Sequence, residues 1–128
     1  MDRLDVSGVW YGGWRADDPR ILPGRFIALL REMGGVIAGE SSEPGRKGGT
    51  LGAILTGHRD GTSIAWTKQY DGASRLAHAV RYEGHIGEGG TEISGQWRFA
   101  AYSGTFTMVR EIFSQEELEA DEEIALRV

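Results

Sequence analysis

Alternation of apolar residues with polar or small ones dominates the sequence up to about residue 113. A period of two is typical of a β-strand that buries one face. Glycine-containing segments separate the alternating runs, so each run is interpreted as one strand. The pattern predicts eight strands, at residues 6–15, 25–33, 36–41, 50–58, 62–70, 76–86, 91–99 and 103–112.

Most connections between these strands are short and rich in glycine, such as Gly34-Gly35, Asp60-Gly61 and Glu88-Gly89-Gly90. Tight turns of this kind are too short for helical crossovers, so sequential strands should pair antiparallel. The sequence therefore predicts an all-β fold, an eight-stranded antiparallel up-and-down (meander) β-barrel formed by residues 1–113. Residues 42–49 make a longer polar connection, placed where it could act as a lid over the barrel mouth.

Residues 114–128 follow a different pattern. Ser114 and Glu117 form a capping box, which predicts a short acidic C-terminal helix. This segment contains six acidic residues and one basic residue. A solvated tail is favoured over a partner-binding helix because the apolar stripe is weak.

Charge and composition restrict the function. The net charge of −5 is carried by the tail, so the barrel is neutral, which argues against nucleic acid and anionic membranes as partners. The chain has no cysteine, which excludes thiol catalysis and thiolate metal sites. The first residues lack a signal-peptide pattern and no stretch is long and apolar enough to span a membrane, so we expect a cytoplasmic protein.

A family resemblance begins in the first strand. The segment Val6-Ser7-Gly8-Val9-Trp10-Tyr11 resembles the Gly-x-Trp opening of the avidin and streptavidin barrels, although lipocalins and fatty-acid-binding proteins, the other calycin-type barrels, share it. Similar motifs follow in order, up to about residue 108: Gly35-Val-Ile-Ala-Gly39, Leu55-Thr56-Gly57, Ala65-Trp66-Thr-Lys-Gln-Tyr70, Tyr82-Glu-Gly84, Ile93-Ser-Gly-Gln96-Trp97 and Thr105-Phe106-Thr107.

The resemblance implies an avidin-like barrel with inward-facing aromatic residues. Strand parity places these at Trp10, Trp66, Tyr82, Trp97 and Phe106. They can form a ligand cage or fill the core, and the sequence leaves both readings open. Ser41 and His78 are the candidate polar contacts, although a histidine satisfied by a neighbour within the barrel is the favoured reading of His78.

The family's biotin-binding polar residues mostly do not match this chain. The resemblance aligns them with Gly12, Ser41, His78, Val80 and Gly104. Segment 100–103 is too short to carry the family's intersubunit tryptophan. A bicyclic urea would be left with unpaired polar groups, so high-affinity biotin binding is not expected.

Other polar residues give weaker signals. Lys68 and Tyr70 share the face of Trp66 further along the strand, where an ammonium at the barrel mouth could meet an anionic group. A lysine that extends to solvent, with its stem covering aromatic surface, is the favoured reading. Glu83 and His85 are interpreted as surface residues rather than metal ligands. No nucleophile elbow, P-loop, dinucleotide fingerprint or zinc motif is present, so no catalytic residue, metal or cofactor is predicted.

Two functions remain as hypotheses, with a third less favoured. The first is a module that binds a small apolar or aromatic ligand inside the barrel. The second is a structural barrel with a filled interior that forms a homo-oligomer, a dimer or tetramer, through small or apolar outward residues at Val9, Ala65, Ala77, Ala79 and Val109. A lipocalin-type or fatty-acid carrier is disfavoured because the inward aromatics leave little space.

Overall fold

The computed structural model describes residues 5–45, 48–71 and 79–110. These residues form eight strands: β1 (Gly8–Ala16), β2 (Gly24–Met33), β3 (Val36–Pro44), β4 (Thr50–Asp60), β5 (Ser63–Tyr70), β6 (Ala79–Ile86), β7 (Glu92–Phe99) and β8 (Tyr102–Val109). Each strand pairs with the next, and β8 returns to β1, so the sheet closes into a barrel.

The predicted antiparallel up-and-down barrel is therefore confirmed. The predicted helix at residues 114–128 lies outside the described residues, as does His78. Within the described ranges, no helix has the length and apolar character needed to cross a membrane.

The strand directions define two ends of the barrel. Strands β1, β3, β5 and β7 all finish at the same end, which we call the upper end, and the other four strands begin there. The opposite, lower end holds the β2–β3, β4–β5 and β6–β7 turns. The β2–β3 turn shows why glycine is needed: Met33 pairs with Val36 across Gly34 and Gly35, whose φ values are 58° and 84°. Two consecutive positive φ angles are typical of a type I′ hairpin.

Strand β3 extends further than the sequence predicted. It runs to Pro44 rather than ending at Ser41, because the alternation of exposed and buried residues continues through Glu43. Pro44 is tolerated because it is the terminal residue of the strand. The connection to β4 is consequently residues 45–49, which is shorter than the predicted lid at 42–49.

The lower half of the barrel is filled by apolar side chains. Those in the interior include Leu30, Ile37, Ile64, Ile86, Ile93 and Met108, together with Val6 and Trp10. The Trp10 indole Nε1 donates a hydrogen bond to the Val6 carbonyl oxygen at 2.9 Å. The Arg110 guanidinium carbon lies 4.7 Å from the centroid of this ring, and the guanidinium also donates hydrogen bonds to the carbonyl oxygens of Asp5, Ser7 and Gly90. These contacts close the lower end.

The outer surface carries a continuous apolar strip on three adjacent strands. We call it the outer strip; it consists of Val9 and Tyr11 on β1, Ile27 and Leu29 on β2, and Val109 on β8, all exposed. Val9 lies opposite Leu29, and Tyr11 lies opposite both Ile27 and Val109.

The other predicted outward positions differ from one another. Ala79 is exposed, whereas Ala77 lies outside the described residues. Ala65, expected to be an exposed outward residue, is buried. Its cross-strand neighbours, His58 and Glu83, have much larger side chains, which accounts for its low exposure.

Candidate functional site

An aromatic cluster crosses the middle of the barrel. The Trp66 and Tyr82 rings stack with centroids 5.2 Å apart and an interplanar angle of 10°. The Phe106 ring meets both of them edge-on, at 5.3 Å and 5.1 Å. The inward placement that strand parity predicted for these three residues is confirmed.

Two inward glycines allow neighbouring rings to fill the upper interior. A Cβ atom on Gly12 would lie 2.3 Å from Cζ of Phe26, so this ring occupies the space next to the glycine. A Cβ on Gly104 would lie 2.7 Å from the Trp97 indole. Gly12 and Gly104 are two positions that the resemblance aligned with biotin-binding residues. In this barrel, aromatic rings take the space that longer polar side chains would need.

A buried ion pair lies above the aromatic cluster. Nζ of Lys68 is 2.7 Å from Oε1 of Glu43, and the two side chains are 2% and 8% exposed. The expectation that Lys68 reaches solvent is therefore wrong. Its side chain points into the barrel because it shares the inward face of β5 with Trp66, and Glu43 supplies a counter-charge there.

Strand register explains how this pair forms. Ser41 and Glu43 occupy successive inward positions of β3, and Lys68 and Tyr70 occupy successive inward positions of β5. Strand β4 separates them, and there Ala53 lies opposite both Ser41 and Tyr70. This small residue leaves room for the lysine stem to reach across β4 towards Glu43.

The environment shifts the ionisation of several groups in this cluster. Burial lowers the pKa of Lys68, and the nearby Glu43 carboxylate opposes that shift. Burial raises the pKa of Tyr82 and of Tyr70, and Glu43 raises both further. The Lys68 Nζ lies 4.8 Å from the Tyr70 ring centroid and 5.4 Å from that of Phe26, so aromatic faces also surround the ammonium.

One buried oxygen of the cluster, Oγ of Ser41, lacks a hydrogen-bond partner among the described residues, and its residue is only 5% exposed. Oε1 of Glu43, in contrast, has the Lys68 ammonium as its partner at 2.7 Å. A small cavity is lined by Phe26, Ser41, Leu55, Trp66, Lys68 and Tyr82. It leaves about 10 Å³ for the centre of a water molecule, which is room for roughly one water.

The structure separates the predicted site residues into two groups. Ser41, Trp66 and Tyr82 line the cavity, and Phe106 packs against the last two. Trp10 lies in the closed lower half, while Trp97 donates from Nε1 to the Arg15 carbonyl oxygen and packs edge-on against Trp14. His78 lies outside the described residues.

The sequence analysis missed three residues of the cluster, namely Phe26, Glu43 and the buried Lys68. Parity alone carried the signal for each of them, since Glu43 is two residues beyond Ser41 and Lys68 is two beyond Trp66. The sequence pattern places Glu43 in the polar connection 42–49, and it favours a Lys68 side chain that extends to solvent with its stem over aromatic surface.

Two other regions of the described residues are weaker candidates for a functional site. An open depression of about 310 Å³ lies beside β1 and β8, and its lining consists of Gly13, Trp14, Arg15, Pro23, Gly24, Thr105, Phe106 and Thr107. The unpartnered Ser41 hydroxyl is not part of this lining. Glu83 and His85 are exposed, and the described part of the chain holds no group of three side chains that could bind a metal ion.

Comparison with known proteins assigns no family. No protein-family model matches the chain, and no curated protein sequence is significantly similar to it. The functional proposal therefore depends on the geometry of the polar cluster, and the avidin-like resemblance stays a prediction.

Proposed function

We propose that this protein is a small-molecule-binding module with an avidin-like barrel, and that its ligand binds in the upper half of the interior. The residues that contact the ligand are Ser41, Trp66, Lys68 and Tyr82, which share one cavity. The observation that carries the proposal is the buried Ser41 hydroxyl, which lines the cavity and has no hydrogen-bond partner within the described residues.

The stability of the fold does not by itself favour buried polar groups at this position. Leaving a buried polar group without a hydrogen bond costs about 1–3 kcal/mol, and an alanine at position 41 would avoid this cost. A buried lysine–glutamate pair likewise contributes little net stability compared with well-packed apolar residues. Buried polar groups that do not stabilise the fold are expected where a site serves function rather than stability.

Biotin is not the proposed ligand. The rings of Phe26 and Trp97 occupy the space beside Gly12 and Gly104, so these two positions offer neither a polar side chain nor room for a bicyclic urea. We expect a biotin dissociation constant weaker than about 1 μM, since each missing hydrogen bond costs about 1–3 kcal/mol. Calorimetric titration measures it, and nanomolar affinity would contradict this account.

The proposal is tested with a panel of small amides, alcohols and carboxylic acids, using the melting temperature and calorimetry. The variant is Ser41→Ala, and its matched control is Ser42→Ala, the next residue of β3, whose side chain is exposed. Without ligand, Ser41→Ala should melt at a higher temperature than the wild type because it removes an unsatisfied hydroxyl. With ligand, it should bind at least tenfold more weakly, whereas Ser42→Ala should behave as the wild type.

Two results would remove the proposal. One is a panel in which no compound binds the wild type saturably. The other is a bound compound whose affinity is the same for Ser41→Ala and for the wild type.

A second candidate function, self-association, is favoured by the outer strip. Five exposed apolar side chains at neighbouring register positions on three adjacent strands are the kind of patch that marks a protein interface. The test is light scattering after size-exclusion chromatography at high protein concentration. Leu29→Glu should reduce the mass of an oligomer, while Ile54→Glu, at an exposed position on β4, should not. A strictly monomeric wild type would exclude this function.

A further inference from the structure

If the upper half of the barrel is the binding site proposed above, the charges of its side chains restrict the chemical class of the ligand. Among the described residues at the cavity, the charged side chains are Lys68 and its partner Glu43, which are 2.7 Å apart. Their charges cancel, so the site as it stands is electrically neutral. Both side chains are more than nine-tenths buried, which keeps solvent from screening them.

Charged ligands are disfavoured by this arrangement. A carboxylate that approached Lys68 would also meet the Glu43 carboxylate, and a bound ammonium group would meet the lysine. In either case the barrel interior would hold one uncompensated charge, which is costly in a medium of low polarity. An uncharged group leaves the balance at zero.

The hydrogen-bonding groups of the site narrow the chemical class of the ligand further. Ser41 Oγ can both donate and accept, and the Lys68 ammonium can only donate. A carbonyl or hydroxyl oxygen satisfies the lysine, and an N–H or O–H of the same group satisfies the serine. We infer that the site recognises an uncharged group that both donates and accepts hydrogen bonds, such as a primary amide or an alcohol, and that it rejects the corresponding carboxylate.

The size of the cavity limits the size of the chemical group that can enter it. The space beside Ser41 has room for roughly one water molecule, so a group of a few heavy atoms is the largest that can enter it without large movements of the rings. A probe of four heavy atoms should therefore bind weakly, with a dissociation constant between about 40 μM and 10 mM.

Acetamide and acetate are the matched probes, because they have nearly the same shape and differ in charge. Calorimetry at neutral pH and low salt should give at least tenfold tighter binding of acetamide to the wild type. Glu43→Gln leaves Lys68 without its counter-charge, so the preference should reverse in favour of acetate. The control is Glu40→Gln, on the outer face of β3, where Glu40 pairs with Arg31 and is 55% exposed; its preference should match the wild type.

Each outcome is decisive. Acetate binding to the wild type as tightly as acetamide would overturn the inference, as would a preference that is the same in Glu43→Gln and in the wild type. If Glu43→Gln does not fold, as judged by circular dichroism, the wild-type comparison decides alone. If neither probe binds while a larger charged compound does so in a Ser41-dependent way, the inference fails and the proposed function stands. If no compound binds, the proposed function fails as well.

Discussion

At the scale of single residues, the interior is shaped by glycines that face large rings. Gly12 lies opposite Phe26 in the β1–β2 register, and the Phe26 ring covers it. Phe26 also lines the small cavity, so the exact position of its ring helps to define the candidate site. The shape of the candidate site therefore depends on the space beside Gly12 as well as on the polar side chains.

Adding one methyl group at position 12 tests this packing. In Gly12→Ala the new Cβ would lie 2.3 Å from the Phe26 ring, so the ring must move within a filled interior. We expect the free energy of unfolding to fall by about 1–3 kcal/mol, as measured by chemical denaturation. The control is Gly13→Ala, where the nearest atom is 3.4 Å away and the effect should be small. Equal stability of the two variants would show that the Phe26 ring does not fill this space.

The buried phenol of Tyr82 should make the stability of the protein depend on pH. Its pKa is raised in the folded protein, first by burial and then by Glu43. The unfolded chain loses the proton near pH 10 while the folded protein retains it, so the stabilisation is complete below about pH 10 and is lost as the pH rises further. Lys68, whose pKa is lowered, acts in the opposite direction, but its contribution no longer changes above about pH 10.4.

Denaturation curves between pH 8 and pH 11.5 measure this effect. The stability of the wild type should decline above pH 10, and Tyr82→Phe should make the decline shallower by about 1.4 kcal/mol per pH unit. An identical slope in Tyr82→Phe would mean that this phenol is not shielded from solvent.

At the scale of elements, strand parity predicted more of the fold than of the site. Alternation predicts inward positions for Trp66 and Tyr82, the family resemblance indicates Ser41, and glycine-rich turns predict antiparallel neighbours. The Lys68–Glu43 pair could not be predicted in the same way. It depends on the stagger of β3 relative to β5 across the intervening β4, and stagger is set by closure of the whole sheet.

Arg110 connects three elements at the lower end and gives a prediction on stability. It follows β8, bonds the carbonyl oxygens of Asp5 and Ser7 before β1, and bonds Gly90 in the β6–β7 turn. Arg110→Lys keeps the charge but loses the planar fork of donors, so we expect the free energy of unfolding to fall by about 2 kcal/mol. Arg98→Lys, at an exposed position of β7, is the control. Equal stabilities would indicate that the N-terminal segment closes the barrel without Arg110.

At the scale of the whole molecule, the two ends of the barrel differ in character. The lower half is packed with apolar side chains and closed by Trp10, Arg110 and the buried Arg59–Glu32 ion pair, whereas the upper half contains the Lys68–Glu43 pair and the cavity. A barrel that only needed to be stable would gain from an apolar interior along its full length. The unpartnered Ser41 hydroxyl in the cavity beside the Lys68–Glu43 pair is therefore the molecular feature on which the functional proposal depends.

The most direct test of that proposal is an NMR titration that locates the binding site. Uniformly ¹⁵N-labelled full-length protein is titrated with a mixture of small amide, alcohol and carboxylate fragments, and amide and indole shifts are followed. We predict saturable shifts for residues around Ser41 and Lys68 and for the Trp66 indole, with little change at the Trp10 indole in the closed lower half. The absence of saturable shifts, or shifts confined to the outer face of β1, β2 and β8, would contradict the account.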